Sequence, residues 1–231
     1  MGTGGHTGTI TDTDVTMPTE DAVLTLAQWL SPAYPVGAFA YSHGLERAVE
    51  AGRVHDVESL EAWLRDVLEH GSGHSDVLFL TAAWQAESCD EVAAIDAIAR
   101  AFAPSRERLM ETDLTGAAFC EVTGAVWEAD LAELCYPVAV GHAARARDLP
   151  LGLTAQMYLQ AFMANLVAAG MRLLPVGQTA GQALIRRLTP LCTGIAEAAQ
   201  GETLDDLSAT AFLADIASMQ HETQHSRIFR T

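Results

Sequence analysis

Residues 149–171 run for 23 positions without a charged side chain, which is the length of a membrane span. No other feature limits the fold as tightly, because a helix of this kind must be hidden either in lipid or among other helices. Gln156, Gln160 and Asn165 lie along it, no basic cluster or aromatic belt flanks it, and nothing else in the chain could supply a second span. The stretch therefore predicts a core helix in a protein that does not enter the membrane.

The rest of the chain agrees with helices. Hydrophobic residues make up 49% of the 231 positions and aromatics only 6%, and Ala and Leu dominate over the types that favour strands. Apolar periodicity predicts helices over Ala22–Leu30, from Phe39 to Val49, and from Asp56 to His70 with Asp56 as N-cap. Gly71 and Gly73 end that helix, and others follow near 75–87, 90–102 and 105–129. Pro137, Pro150, Pro175 and Pro190 then divide the second half into helices near 138–147, 153–172, 177–188 and 191–200, and a last one runs from Ser208 to Met219. The expectation is an all-α, single-domain bundle of about ten helices covering 21–220. It is preceded by a disordered tail, 1–20, with seven Thr and four Gly, and followed by a terminal segment, 221–231. The first twenty residues lack the basic and apolar regions of a signal peptide, so the expected location is the cytoplasm.

Charge excludes several activities. Thirty acids against 13 basic residues give −17, which would repel a phosphate backbone, so no nucleic-acid partner is expected. All 13 basic residues are Arg, and a chain without Lys has no Walker lysine, Schiff-base lysine or lysine general base. No glycine-rich nucleotide cradle occurs, so any bound nucleotide belongs to a partner. Residues 149–231 are nearly neutral, with six acids against five Arg, as befits a core or a covered surface. Cys89, Cys120, Cys135 and Cys192 are too scattered for a zinc knuckle and read as buried free thiols. Glu58, Glu61, Glu69, Asp90, Glu91 and Asp96 read as solvated helix faces.

His221-Glu222-Thr223-Gln224-His225 fits the H-E-x-x-H pattern, in which two His one turn apart hold zinc and the Glu activates water. A metal-dependent hydrolase using His221, Glu222 and His225 is thus the rival reading. It lacks a third ligand, since no Asp, Glu, His or Cys follows, and an exposed terminal helix offers no dry cleft. The same pair, His221 and His225, could grip nickel transiently, although solvated terminal histidines are the plainer reading. His70 and His74 are also four apart, but Gly71 and Gly73 argue against the helix that would align them.

The segment Ser31–Glu46, SPAYPVGAFAYSHGLE, resembles the hallmark of the UreF family of urease accessory proteins: a proline-glycine loop leading into Tyr-Ser and then Gly-Leu-Glu. The resemblance continues in YPVAVGHAARARDLPL at Tyr136–Leu151, in NLVAAGMRLLPVGQTAGQ at Asn165–Gln182, and in HETQHSRIFRT at the end. Where the family commonly ends in Tyr-Ser-Arg-Leu-Phe-Arg-Ser, this chain has His225 in place of the aromatic residue. The resemblance implies a non-catalytic, all-α homodimer that binds the accessory protein UreD (UreH in some species) and through it recruits the GTPase UreG. That assembly loads nickel into apo-urease, and the chain itself needs no cofactor. It also implies that the C-terminal segment becomes ordered against the UreD-type partner.

With that resemblance, partner-binding residues are expected at Tyr34, Pro35, Gly37, Phe39, Tyr41, Ser42 and Glu46. Prolines stiffen this loop and aromatics supply anchors, with Tyr34 or Tyr41 placed on the partner surface. Arg227, Phe229 and Arg230 at the other end have the composition of an interface hot spot. Arg172, Gln178 and Gln182, around the bend at Pro175-Val176-Gly177, either satisfy buried backbone groups or face the dimer partner.

Overall fold

The computed structural model describes residues 19–129, 131 and 133–231, so the tail expected over 1–20 lies outside the described residues except for its last two. Among the described residues there are ten α-helices, two short 3-10 helices and no strand. The helices are α1 (Glu20–Trp29), α2 (Leu45–Glu50), α3 (Val57–His70), α4 (Ser72–Gln85), α5 (Cys89–Phe102), α6 (Arg106–Trp127), α7 (Tyr136–Ala146), α8 (Leu151–Leu173), α9 (Gln178–Ala198) and α10 (Phe212–His221). The 3-10 turns are Ala38–Ala40 and Leu204–Asp206.

Most starts are set by side-chain caps. The Thr19 hydroxyl accepts from Ala22 N at 3.2 Å with Glu20 and Asp21 in the first turn, and Ser88 and Ser105 cap α5 and α6 in the same way. Asp56 is the N-cap expected for α3, and Ser59 reciprocates to complete a capping box. Its buried face is Leu60, Trp63, Leu64, Val67 and Leu68.

The charge-free stretch forms α8, whose Ala155, Leu159, Met163, Leu166 and Val167 are shielded from solvent, with α9 covering one side and α4 another. At the centre α4 packs most extensively on α7. Gly141 makes this possible, because a Cβ there would fall 2.9 Å from the Leu80 carbonyl carbon. Among the described residues no helix is long and apolar enough to cross a membrane.

Several boundaries differ from expectation for identifiable reasons. The helix expected from Phe39 to Val49 is broken, because His43 and Gly44 both adopt positive φ (54° and 76°), leaving a 3-10 turn and then α2. Gly71 alone separates α3 from α4, while Gly73 lies inside α4 with Leu68 too close to admit a side chain. Pro190 does not divide α9: it sits on the exposed face, where water can reach the carbonyl that its missing N–H leaves free. Residues 208–211 are not helical, and α10 starts at Phe212, after Thr210 and Ala211 have donated their amides to His70 O. Asp96 is buried rather than solvated, accepting from Cys135 N at 2.7 Å just ahead of α7, and Cys89 is exposed while the other three thiols are buried.

Candidate partner-binding surface

The Ser31–Glu46 segment is held by local geometry and by two helices. Tyr34 N donates to Ser31 O at 2.9 Å and Val36 N to Tyr34 O at 2.8 Å, and Gly37 turns the chain at φ 75°. Asn165 of α8 donates to Ala38 O at 2.9 Å, and Arg172 of the same helix donates to Phe39 O at 3.0 Å. Gly44 then passes so close to α10 that a Cβ would lie 2.7 Å from Ser218 N. The left-handed turn at His43–Gly44 is thus where the loop and the last helix meet.

The terminal segment closes over this loop as a strap. Both oxygens of the buried Glu46 carboxylate accept from its backbone, Ile228 N at 2.7 Å and Phe229 N at 2.9 Å. Arg230 N donates to Ala40 O at 2.8 Å, and both the amide and the hydroxyl of Ser42 donate to Thr231 O. The Thr231 hydroxyl donates to Glu111 at 2.9 Å. Phe229 is buried beneath the Arg172 guanidinium, 4.4 Å from the ring centre, in a cation–π stack. Arg172 therefore holds the loop with one hydrogen bond and the strap with its flat face.

His221, at the end of α10, is sealed between two carboxylates, with Nδ1 2.6 Å from Glu107 and Nε2 3.3 Å from Glu46. Arg227 adds a third charge by donating to Glu107 at 2.5 Å. This overturns the reading of His221 as a solvated terminal residue, and it leaves neither ring nitrogen for a metal. The H-E-x-x-H helix does not form either: α10 ends at His221, Glu222 accepts from Arg106 N at 2.8 Å, and His225 is exposed beyond the helix. Among the described residues no group of three or more His, Cys, Asp or Glu is arranged to hold a metal ion.

The expected loop contacts sort by exposure. Tyr34 and Tyr41 point inward. Tyr34 bonds the Thr123 hydroxyl at 2.8 Å and tilts against Phe119, and burial raises the pKa of both phenols. Their burial corrects the placement of either tyrosine on an outer surface: they pack the loop onto the bundle. Ser42 and Glu46 likewise act by seating the strap. The outward members of the set are Pro35 and Phe39, with Phe39 67% exposed. Gln178 and Gln182 are exposed at the start of α9 and satisfy no buried group, which corrects that reading. Arg227 and Arg230 also reach solvent.

A further surface escaped the sequence reading. On α10 the small residues Ala214, Ala217 and Ser218 face the body, while Phe212, Leu213, Ile216 and Met219 face out, each 44–64% exposed. On the strap, Ile228 is a further exposed apolar side chain, 65% exposed, while its amide is held by Glu46. The signal was present in the small residues. A helix that approaches a neighbour closely enough to touch a glycine needs Ala and Ser on that side.

The UreF family model matches residues 54–189. A urease accessory protein UreF from Ruegeria pomeroyi is 60% identical over 214 residues, covering 93% of this chain and 99% of the relative. UreF from Roseobacter denitrificans is 53% identical over 211 residues (91% and 95%), and UreF from Methylobacterium radiotolerans 47% over 229 (93% and 100%). These relatives are named as accessory proteins and not as catalysts, and each matches at least 91% of the chain: it belongs to the UreF family of urease accessory proteins.

Proposed function

We propose that the chain is a scaffold in nickel delivery to urease, docking a UreD- or UreH-type protein on the outward face of α10 and the strapped tail beside it. Through that complex it recruits the GTPase UreG to apo-urease, with nickel as the cargo of the assembly. The observation that carries this reading is the outward apolar row Phe212, Leu213, Ile216 and Met219 of α10, with Ile228 exposed on the strap, on an otherwise strongly acidic chain. The exposed Phe39 beside the strap is proposed as an additional anchor, and two copies of the chain are proposed to associate in the working complex.

The test is co-purification of the chain with its cognate UreD-type partner, comparing wild type with a Phe212→Asp/Ile216→Asp double variant. The variant should melt like wild type, lose the partner and fail to support nickel-dependent urease activation. A folded double variant that still carries the partner would overturn the assignment of this face.

A further inference from the structure

A cavity of about 540 Å3 opens between the Ser31–Phe39 segment, α6, α8 and the start of α9. Leu30, Val36, Met157, Phe162, Met171 and Ile185 give it apolar walls. Its floor is charged: Asp76 of α4, Arg108 and Glu111 of α6, and His43 of the loop all reach it.

These groups do not balance. Glu111 takes the Arg108 guanidinium in an ion pair and lies 2.7 Å from His43 Nε2, whereas Asp76 has a hydrogen bond from the Tyr158 hydroxyl at 2.9 Å and no ion-pair partner among the described residues. His43 adds no charge near neutral pH, because burial and then the neighbouring Arg108 hold its pKa below the usual value. Two carboxylates therefore share one guanidinium. Asp215 of α10 lines a second, smaller cavity of about 60 Å3 together with Asp76 and Arg108. The floor of the larger cavity, with two carboxylates against one guanidinium, is one positive charge short and so a site for a cation.

We propose that this cavity binds a monovalent organic cation, a guanidinium or alkylammonium head on an apolar stem. The head lies against Asp76, within reach of the Tyr158 and Tyr136 rings, and the stem lies along Met157, Phe162 and Ile185. The apolar walls, and the lack of a three-ligand metal cluster among the described residues, favour an organic cation over a bare metal ion. The groups facing Asp76 are Tyr158 from α8, Tyr136 from α7 with Cys135 just ahead of it, Arg108 and Glu111 from α6, His43 from the loop and Asp215 from α10. Burial above all raises the Asp76 pKa to about 6, so binding should weaken as pH falls through that value and the attracting charge is lost.

Calorimetric titration of the full chain with n-butylguanidinium, n-butylammonium and the neutral n-butylurea tests this. The two cations should bind about tenfold more tightly than the urea at pH 7.5, and Asp76→Asn should erase that preference. Ala164→Leu, which fills the same cavity without touching its charge, should weaken both cations, so a poorly folding Asp76 variant would not protect the idea. The proposal is overturned if the cations bind no better than the urea, if Asp76→Asn binds them unchanged, or if nickel ion alone occupies the site in an Asp76-dependent way. Repeating the titration with the chain bound to its UreD-type partner identifies the source of the head group: blocked binding marks a partner's Arg or Lys side chain, and retained binding marks a free small molecule.

Discussion

Helices α8 and α10 are both rich in apolar residues, yet they place their bulk on opposite sides. In α8 the large residues Leu159, Met163 and Leu166 are sealed inside and the helix is clasped by α4 and α9. In α10 the large residues point to solvent, and Ala214, Ala217 and Ser218 let the backbone lie against Gly44. The contrast shows that apolar bulk marks what must be covered, while small residues mark what is already packed. The first helix is sealed within the chain; the second leaves its apolar bulk open to solvent, the face proposed above for the partner.

The contrast can be broken by substitution. Leu159→Ala should destabilise the fold by about 3 kcal/mol in denaturant unfolding, because a fully buried leucine leaves a cavity in a well-packed core. Glu46→Ala should cost roughly 2 kcal/mol and free the strap, since two backbone N–H groups lose a charged acceptor; limited proteolysis would then cut within 222–231. Ile216→Ser should change stability by no more than about 0.5 kcal/mol while still weakening capture of the UreD-type partner. If Ile216→Ser unfolded the protein or Leu159→Ala did not, the distinction between the two helices would fail.

A pH series sharpens the same comparison in the interior. Asp76 has a folded pKa of about 6 against an ordinary 3.8, so the folded state takes up its proton first and stability should rise as pH falls from about 6 toward 4. Glu111 works the other way. Burial would raise its pKa, but Arg108 and His43 outweigh that and hold it near 2, so the stability it contributes is lost only as pH drops below its ordinary 4.5. His43 and His142, whose pKa values burial holds below 6.5, lose stability over the same range, so the Asp76 contribution is read as a difference: between pH 7 and about 5 the wild type should gain stability relative to Asp76→Asn.

Much of this was legible from residue patterns. The amphipathic α3 with its Asp56 cap, the buried charge-free helix and the all-α class all follow from periodicity and composition, and the Ser31–Glu46 segment identified the family. What could not be read depends on distant partners. Nothing local shows that Tyr34 finds Thr123, that Asp96 serves the start of α7, or that His221 is enclosed by Glu46 and Glu107. Pro190 was misread as a break because its effect depends on which face it occupies. The α10 surface was missed because exposure is decided by neighbours and not by the helix itself.

The double donation of Ser42 to Thr231 has a consequence for hydrogen exchange. The Ser42 amide sits in a loop, where exchange would ordinarily be fast, and its acceptor lies in the strap. Its deuterium uptake should therefore follow departure of the strap rather than unfolding of the bundle. One loop amide, together with those of Ile228, Phe229 and Arg230, would report the free energy of strap release as a single cooperative unit, separable from global opening by its dependence on denaturant.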